Sequence, residues 1–262
     1  QLAPPASTGI ANAAPASPAP TPTAPESPPP AAGTVVAGLA PPPLPRPDFR
    51  AAAAAVMATP CSLITPTVAD DTITLTGFVR GGEEGSLRRT LAEFNVPGEA
   101  VRFRLRTFEG PYCRALDIVR PYLARGERAS VRGAVLGTQP LAKGELLRLN
   151  VGMPDYPSRL NVSYLMSSGD AVQLVGEQAE APGAQVRLGD PRQGFPGWEV
   201  DEPYGTDMLL MVASERPLFP QRRPAVEKLD SFLPALADAL TEAQARGRVS
   251  VQVVPVDTAA KR

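Results

Sequence analysis

Four groups of residues in this chain have the types and spacing to do chemistry. Cys61 and Cys113 are its only cysteines. An even cysteine count without metal-ligand spacing favours a disulfide, and each cysteine falls on an element expected to pack against the other. Closing a loop of that length is worth about 4 kcal/mol in the chain-entropy model. The rival state is a pair of buried free thiols in a reducing compartment. The second group is Arg102, Arg104 and Arg106, which alternate with Val101, Phe103 and Leu105, with Arg88 and Arg89 near in sequence. The pattern predicts a strand with one basic face and an inward Phe103. Such a face suits lipid phosphates, an acidic partner or nucleic acid, unless it is solvated and balanced by Glu83, Glu84, Glu93 and Glu99.

Asp201, Glu202 and Asp207 form the third group. Paired carboxylates serve acid–base chemistry, but their local spacing in a Pro/Gly segment reads as a solvated turn. The fourth is the loop 194–206, which carries Phe195, Trp198 and Tyr204, Trp198 being the only tryptophan. It reads either as a recognition loop or as an apolar plug on a sheet edge. Asn161-Val162-Ser163 matches a glycosylation sequon, but it falls in an expected strand and is taken as chance.

The chain contains no histidine. It therefore lacks the usual general base near neutral pH and cannot build a Ser-His-Asp or Cys-His nucleophile. Two cysteines are also too few for a structural zinc cage. No catalytic residue, metal or cofactor is assigned. The 26 basic and 27 acidic side chains nearly cancel, and aromatics are 5% of the residues. Neither favours nucleic acid as a partner.

The elements that must position these groups follow from periodicity and breakers. Residues 51–58 are an alanine-rich helix ending before Thr59-Pro60. Strands are expected at 61–67 and 72–79, the second alternating apolar with polar, and Gly81-Gly82 turns the chain. A helix over 84–94 places Leu87, Leu91 and Phe94 on one face, and a last helix runs from 112 to about 120. Further strands are expected at 145–151, 160–166, 171–175, 185–188, 208–213 and 249–253, with Ser168-Gly169-Asp170 as a hairpin turn. Pro224 suits the first position of a helix whose stripe is Val226, Leu229, Leu233, Leu236 and Leu240. Pro234 should kink or divide it, and Gly247 should end it in a left-handed cap.

The fold class is α+β. A disordered Pro/Ala-rich spacer is expected over 1–48, a small α+β domain over 49–126, a mainly β domain with a C-terminal helix over 127–257, and a tail over 258–262. In polyproline II geometry, at about 3.1 Å per residue, the spacer would reach on the order of 150 Å. No run of apolar residues is long enough to span a bilayer.

The segment Ile73-x-Leu75-x-Gly77-x-Val79, followed by a helix with Leu87 and Leu91, resembles the BON domain over about 60 to 75 residues. That resemblance implies a small extracytoplasmic module of bacterial envelope proteins. The runs Asp155-Tyr156-Pro157-Ser158-Arg159-Leu160-Asn161-Val162-Ser163-Tyr164-Leu165 and Pro203-Tyr204-Gly205-Thr206-Asp207-Met208-Leu209-Leu210-Met211-Val212-Ala213-Ser214-Glu215-Arg216-Pro217-Leu218 look like a module of unassigned role. It follows serine/threonine kinase or caspase-like domains in bacterial proteins, and the likeness covers roughly 110 residues. Together the two resemblances imply the periplasmic tail of a membrane-anchored kinase, with the anchor upstream of Gln1, although no kinase motif is present here. The expectation is a non-enzymatic sensor that binds an envelope protein or a lipid or cell-wall ligand, through the arginine strand and the Trp198 loop. The alternatives are an assembly subunit of an envelope or secretion complex, and a hydrolase working with carboxylates alone.

Overall fold

The computed structural model describes residues 46–123 and 128–261. Most of the expected spacer, residues 1–45, lies outside the described residues. The fold is α+β, with four α-helices and three sheets among the described residues.

The first sheet follows the expected order. Helix α1 (Phe49–Met57) is capped by Asp48, whose side chain accepts from the Ala51 amide at 2.9 Å. Strands β1 (Ser62–Ala69) and β2 (Thr72–Arg80) pair antiparallel, then helix α2 (Glu84–Glu93) returns the chain to β3 (Val101–Phe108), parallel to β2. Alternation in β2 sends Ile73, Leu75 and Val79 into a core with Ala52, Val56, Leu87 and Leu91 of the two helices. Gly77 lies in this central strand at φ +131°, where an added Cβ would stand 2.0 Å from the Leu63 carbonyl oxygen. Only glycine lets the two strands approach there.

Helix α3 (Cys113–Val119) follows, then β4 (Arg132–Leu136), β5 (Leu141–Ala142), β6 (Arg148–Gly152), β7 (Ser158–Leu165), β8 (Asp170–Glu180), β9 (Gln185–Leu188) and β10 (Thr206–Ser214). The last described elements are β11 (Val226–Lys228), α4 (Leu229–Arg246) and β12 (Val249–Ala259). The six-stranded sheet has the order β11-β8-β7-β10-β12-β5, and the other three-stranded sheet β4-β6-β9. Strand β10 is buried on both faces, which is why its sequence is a continuous apolar run and not an alternating one. Met208, Leu210 and Val212 face α3 and α4, while Leu209, Met211 and Ala213 face the β4-β6-β9 sheet. Leu63, Phe78, Phe108 and Tyr112, from before residue 126, share the first of these cores with Leu165, Phe232 and Leu236 from beyond it.

Several expectations are corrected. Pro224 does not start the helix. Val226, Glu227 and Lys228 pair with Val172, Ala171 and Asp170 as β11, and Val226 is 58% exposed, off the apolar stripe. The Lys228–Asp170 ion pair at 2.7 Å and the Leu229 amide bonded to the Gly169 carbonyl hold that segment on the hairpin. Pro234 does not divide α4. It stands on the exposed side, early in the helix, while Phe232, Leu233, Leu236, Ala239 and Leu240 clamp the helix to the core. Gly247 ends α4 in an extended conformation, φ 171°, and not in a left-handed cap. Its lack of a side chain instead admits Glu215, whose Oε2 would be 2.7 Å from an added Cβ. Strand β12 continues to Ala259, so Thr258 and Ala259 pair with Leu141 and Ala142 and are not a tail. Strands β4 and β5 had no counterpart in the sequence reading.

Candidate functional site

Cys61 and Cys113 are joined as a disulfide, with Cα atoms 4.2 Å apart. Cys61 immediately precedes β1 at φ 53°, and Cys113 opens α3. The link ties α3 to the start of β1. Arg120 reinforces it by donating to the carbonyls of Thr59 at 2.8 Å and Ser62 at 3.0 Å.

Arg102, Arg104 and Arg106 all project from one exposed face of β3. Cross-strand register sets Arg102 beside Thr74 and Thr67, and Arg104 beside Thr76 and Thr65. The result is a flat face of threonine hydroxyls bordered by guanidinium groups, and β3 is the edge of its sheet. Arg106 pairs with Asp257. Arg102 donates to the backbone carbonyls of Glu99 at 2.5 Å and Val101 at 3.2 Å. Among the described residues, neither Arg102 nor Arg104 has a carboxylate partner, so Glu83, Glu84, Glu93 and Glu99 do not neutralise this face.

The structure separates Arg88 and Arg89 from this row. Arg88 lies 4.4 Å from the ring centroid of Phe103, a residue that alternation places on the α2 side of the sheet. Arg89 donates to Ser86 at 3.2 Å. Phe103 does point toward the α2 side, but it is only half-buried there.

The loop residues converge on a different place. Trp198 packs edge-on against Phe195 at 5.9 Å, and Arg192 lies 5.1 Å over the outer face of that pair. The backbone around Trp198 is fixed: the Leu147 amide donates to the Trp198 carbonyl at 2.8 Å, and the Val200 amide to the Glu145 carbonyl at 2.8 Å. Trp198 and Tyr204 both pack on the core between the six-stranded sheet and β4-β6-β9, as an apolar plug does. Beside it opens a cavity of about 270 Å³. Trp198 and Tyr164 are its aromatic walls, and Met166, Val172 and Leu174 supply apolar surface. Glu199, Asp201, Glu202 and Asp207 are the acidic residues among its lining, and no lysine or arginine lines it.

The carboxylate group is corrected at one position. Asp201 and Glu202 are exposed, as a solvated turn requires, but Asp207 is 1% exposed. Its Oδ1 accepts from the Ser167 amide at 2.7 Å and from the Tyr112 hydroxyl at 3.1 Å, and its Oδ2 from the Tyr164 hydroxyl at 2.8 Å. Burial, and then the charge of Asp207, push both tyrosine pKa values far above the usual range. This network joins α3 to β7 and β10, and it was legible only in that Asp207 opens a run of six apolar residues. Asp201 pairs with Lys143 at 3.1 Å. The backbone hydrogen bond from Glu202, then the Lys143 ammonium, hold its carboxyl below the usual range.

Asn161 is 2% exposed within β7, so the sequon is closed to modification in the folded chain. Among the described residues, no group of three or more carboxylates or cysteines is placed to hold a metal ion. Comparison with protein-family models, curated proteins and solved structures returned no match.

Proposed function

We propose that this chain is the extracytoplasmic binding region of a bacterial envelope protein, and that it docks an acidic partner protein along the edge strand β3. The observation that carries this reading is the row Arg102, Arg104 and Arg106 on an edge strand, in which Arg106 pairs with Asp257 while Arg102 and Arg104 have no carboxylate partner among the described residues. Same-face side chains on a strand repeat at roughly 6.6 Å. An extended segment with carboxylates at alternate positions has the same repeat, so guanidinium and carboxylate groups align one to one when such a segment lies along β3. Charge of this kind also speeds encounter and sets orientation.

The placement in the envelope rests on the BON-like order α1-β1-β2-α2-β3 with Gly77 in its central strand, and on a disulfide that suits an oxidising compartment. Among the described residues, no helix is long and apolar enough to cross a membrane. A hydrolase working with carboxylates alone is the weaker reading, because Asp201 is paired with Lys143 and Asp207 is buried with both oxygens hydrogen-bonded.

The test is binding of the purified chain to immobilised poly-L-glutamate, followed by the same assay with R102Q/R104Q/R106Q. The wild type should bind in a salt-sensitive manner, and the triple variant should bind at least tenfold more weakly with an unchanged circular dichroism spectrum. Equal binding by both forms, or none by the wild type, would remove the arginine strand as the docking surface.

A further inference from the structure

None of the strand arginines lines the cavity beside Trp198, and its chemistry is of the opposite sign. At about 270 Å³ it is slightly smaller than the roughly 300–1,000 Å³ typical of drug-sized ligand sites, so its occupant must be small. Its walls combine two features. Met166, Val172, Leu174 and the rings of Trp198 and Tyr164 present hydrocarbon and π surface. Glu199, Asp201, Glu202 and Asp207 make the lining acidic, and no basic side chain stands among the lining residues. Lys143 engages Asp201 from outside the lining, and the two oxygens of Asp207 are occupied by donors. Glu199 and Glu202 are exposed at the rim; the Lys143 ammonium that engages Asp201 also feels Glu202, and Glu199 has no ion-pair partner among the described residues.

We propose that this cavity binds a small organic cation: an aliphatic amine or quaternary ammonium whose hydrocarbon part enters and whose charge meets Trp198 and the rim carboxylates. Aromatic faces attract such cations, and a concave site ringed by one sign of charge raises their local concentration. A bare metal ion is the poorer fit, because these carboxylates do not converge as a ligand set. A carboxylate or phosphate ligand would meet the like charges of Glu199 and Glu202 at the rim. The frame is already built. Trp198 is fixed by Phe195 and by the Leu147 amide, and the segment after Tyr204 is braced by Thr258, whose hydroxyl accepts from the Gly205 amide at 3.0 Å.

Because Trp198 is the only tryptophan, its fluorescence reports this cavity alone. The experiment titrates the chain with hexylammonium, 1-hexanol and hexanoate, which share one hydrocarbon tail and differ in charge. Hexylammonium should give a saturable change in Trp198 emission, hexanol should bind at least tenfold more weakly, and hexanoate should not bind. In E199Q/E202Q, two exposed positions where the fold is indifferent, the preference for the ammonium over the alcohol should fall severalfold. Equal affinity for hexanol and hexylammonium would overturn the cation assignment. No saturable response to any probe would overturn the cavity as a binding site. Neither result touches the arginine strand, which poly-L-glutamate tests separately.

Discussion

At the residue scale, the most consequential side chain is Asp207, which sequence spacing had grouped with two exposed carboxylates. Local composition misled because Pro203, Gly205 and the neighbouring acids mark a loop, whereas burial at Asp207 is set by the strand it opens. The six apolar residues that follow are packed on both faces of the sheet, so their N-terminal neighbour is carried inside with them. A buried carboxylate persists only when it is hydrogen-bonded, and Tyr112, Tyr164 and the Ser167 amide do this. A pH dependence follows. Burial holds the hydroxyls of Tyr112 and Tyr164 protonated far beyond their ordinary range, and burial pushes Tyr156 up to about 12 against the partial opposition of Arg248. These tyrosines bind their protons more tightly folded than unfolded. Their contribution is therefore intact below pH about 10, the unfolded tyrosine value, and is lost as pH rises toward the folded values. We expect ionisation of Tyr112, Tyr156 and Tyr164 to accompany loss of near-ultraviolet circular dichroism above that pH. Absorbance equal to more than two of the five tyrosines ionised at pH about 10, on a chain that stays folded, would contradict the network.

At the scale of elements, legibility followed the source of each signal. Strands β2, β3, β7 and β9 and helices α1 and α2 were readable because alternation, alanine content and Pro or Gly stops all act locally. The start of α4 was not. Pro224 and the apolar Val226 favour a helix, but the β7-β8 hairpin offers a strand partner that local sequence does not display. The short strands β4 and β5 also exist only because β6 and β12 lie beside them. The disulfide was readable from cysteine count and expected packing, and it makes α3 part of the first sheet's frame. The 52-residue separation implies about 4 kcal/mol of stabilisation through the unfolded chain. C61S/C113S, or the reduced wild type, should therefore unfold at a markedly lower urea concentration with similar native circular dichroism. An unchanged midpoint would mean that the link contributes nothing beyond the contacts of α3.

At the scale of the whole molecule, the described chain presents two chemically opposite features. One is a sheet edge rich in guanidinium groups, and the other is a partly open hollow lined by aromatic and acidic residues. The basic row was visible in sequence because strand alternation is regular. The cavity was not, since it draws on β7, β8, β10 and the loop before it, which the fold alone brings together. The central claim is that the Arg102–Arg106 face meets a partner protein. It is tested most directly by placing a photo-crosslinking residue at Thr76, on that face, or at Ala92, exposed on α2, in cells that make the chain. The account predicts a discrete protein adduct at Thr76 that disappears in R102Q/R104Q/R106Q, and none at Ala92. An adduct at Ala92 with none at Thr76, or one at Thr76 that survives the triple substitution, would contradict it.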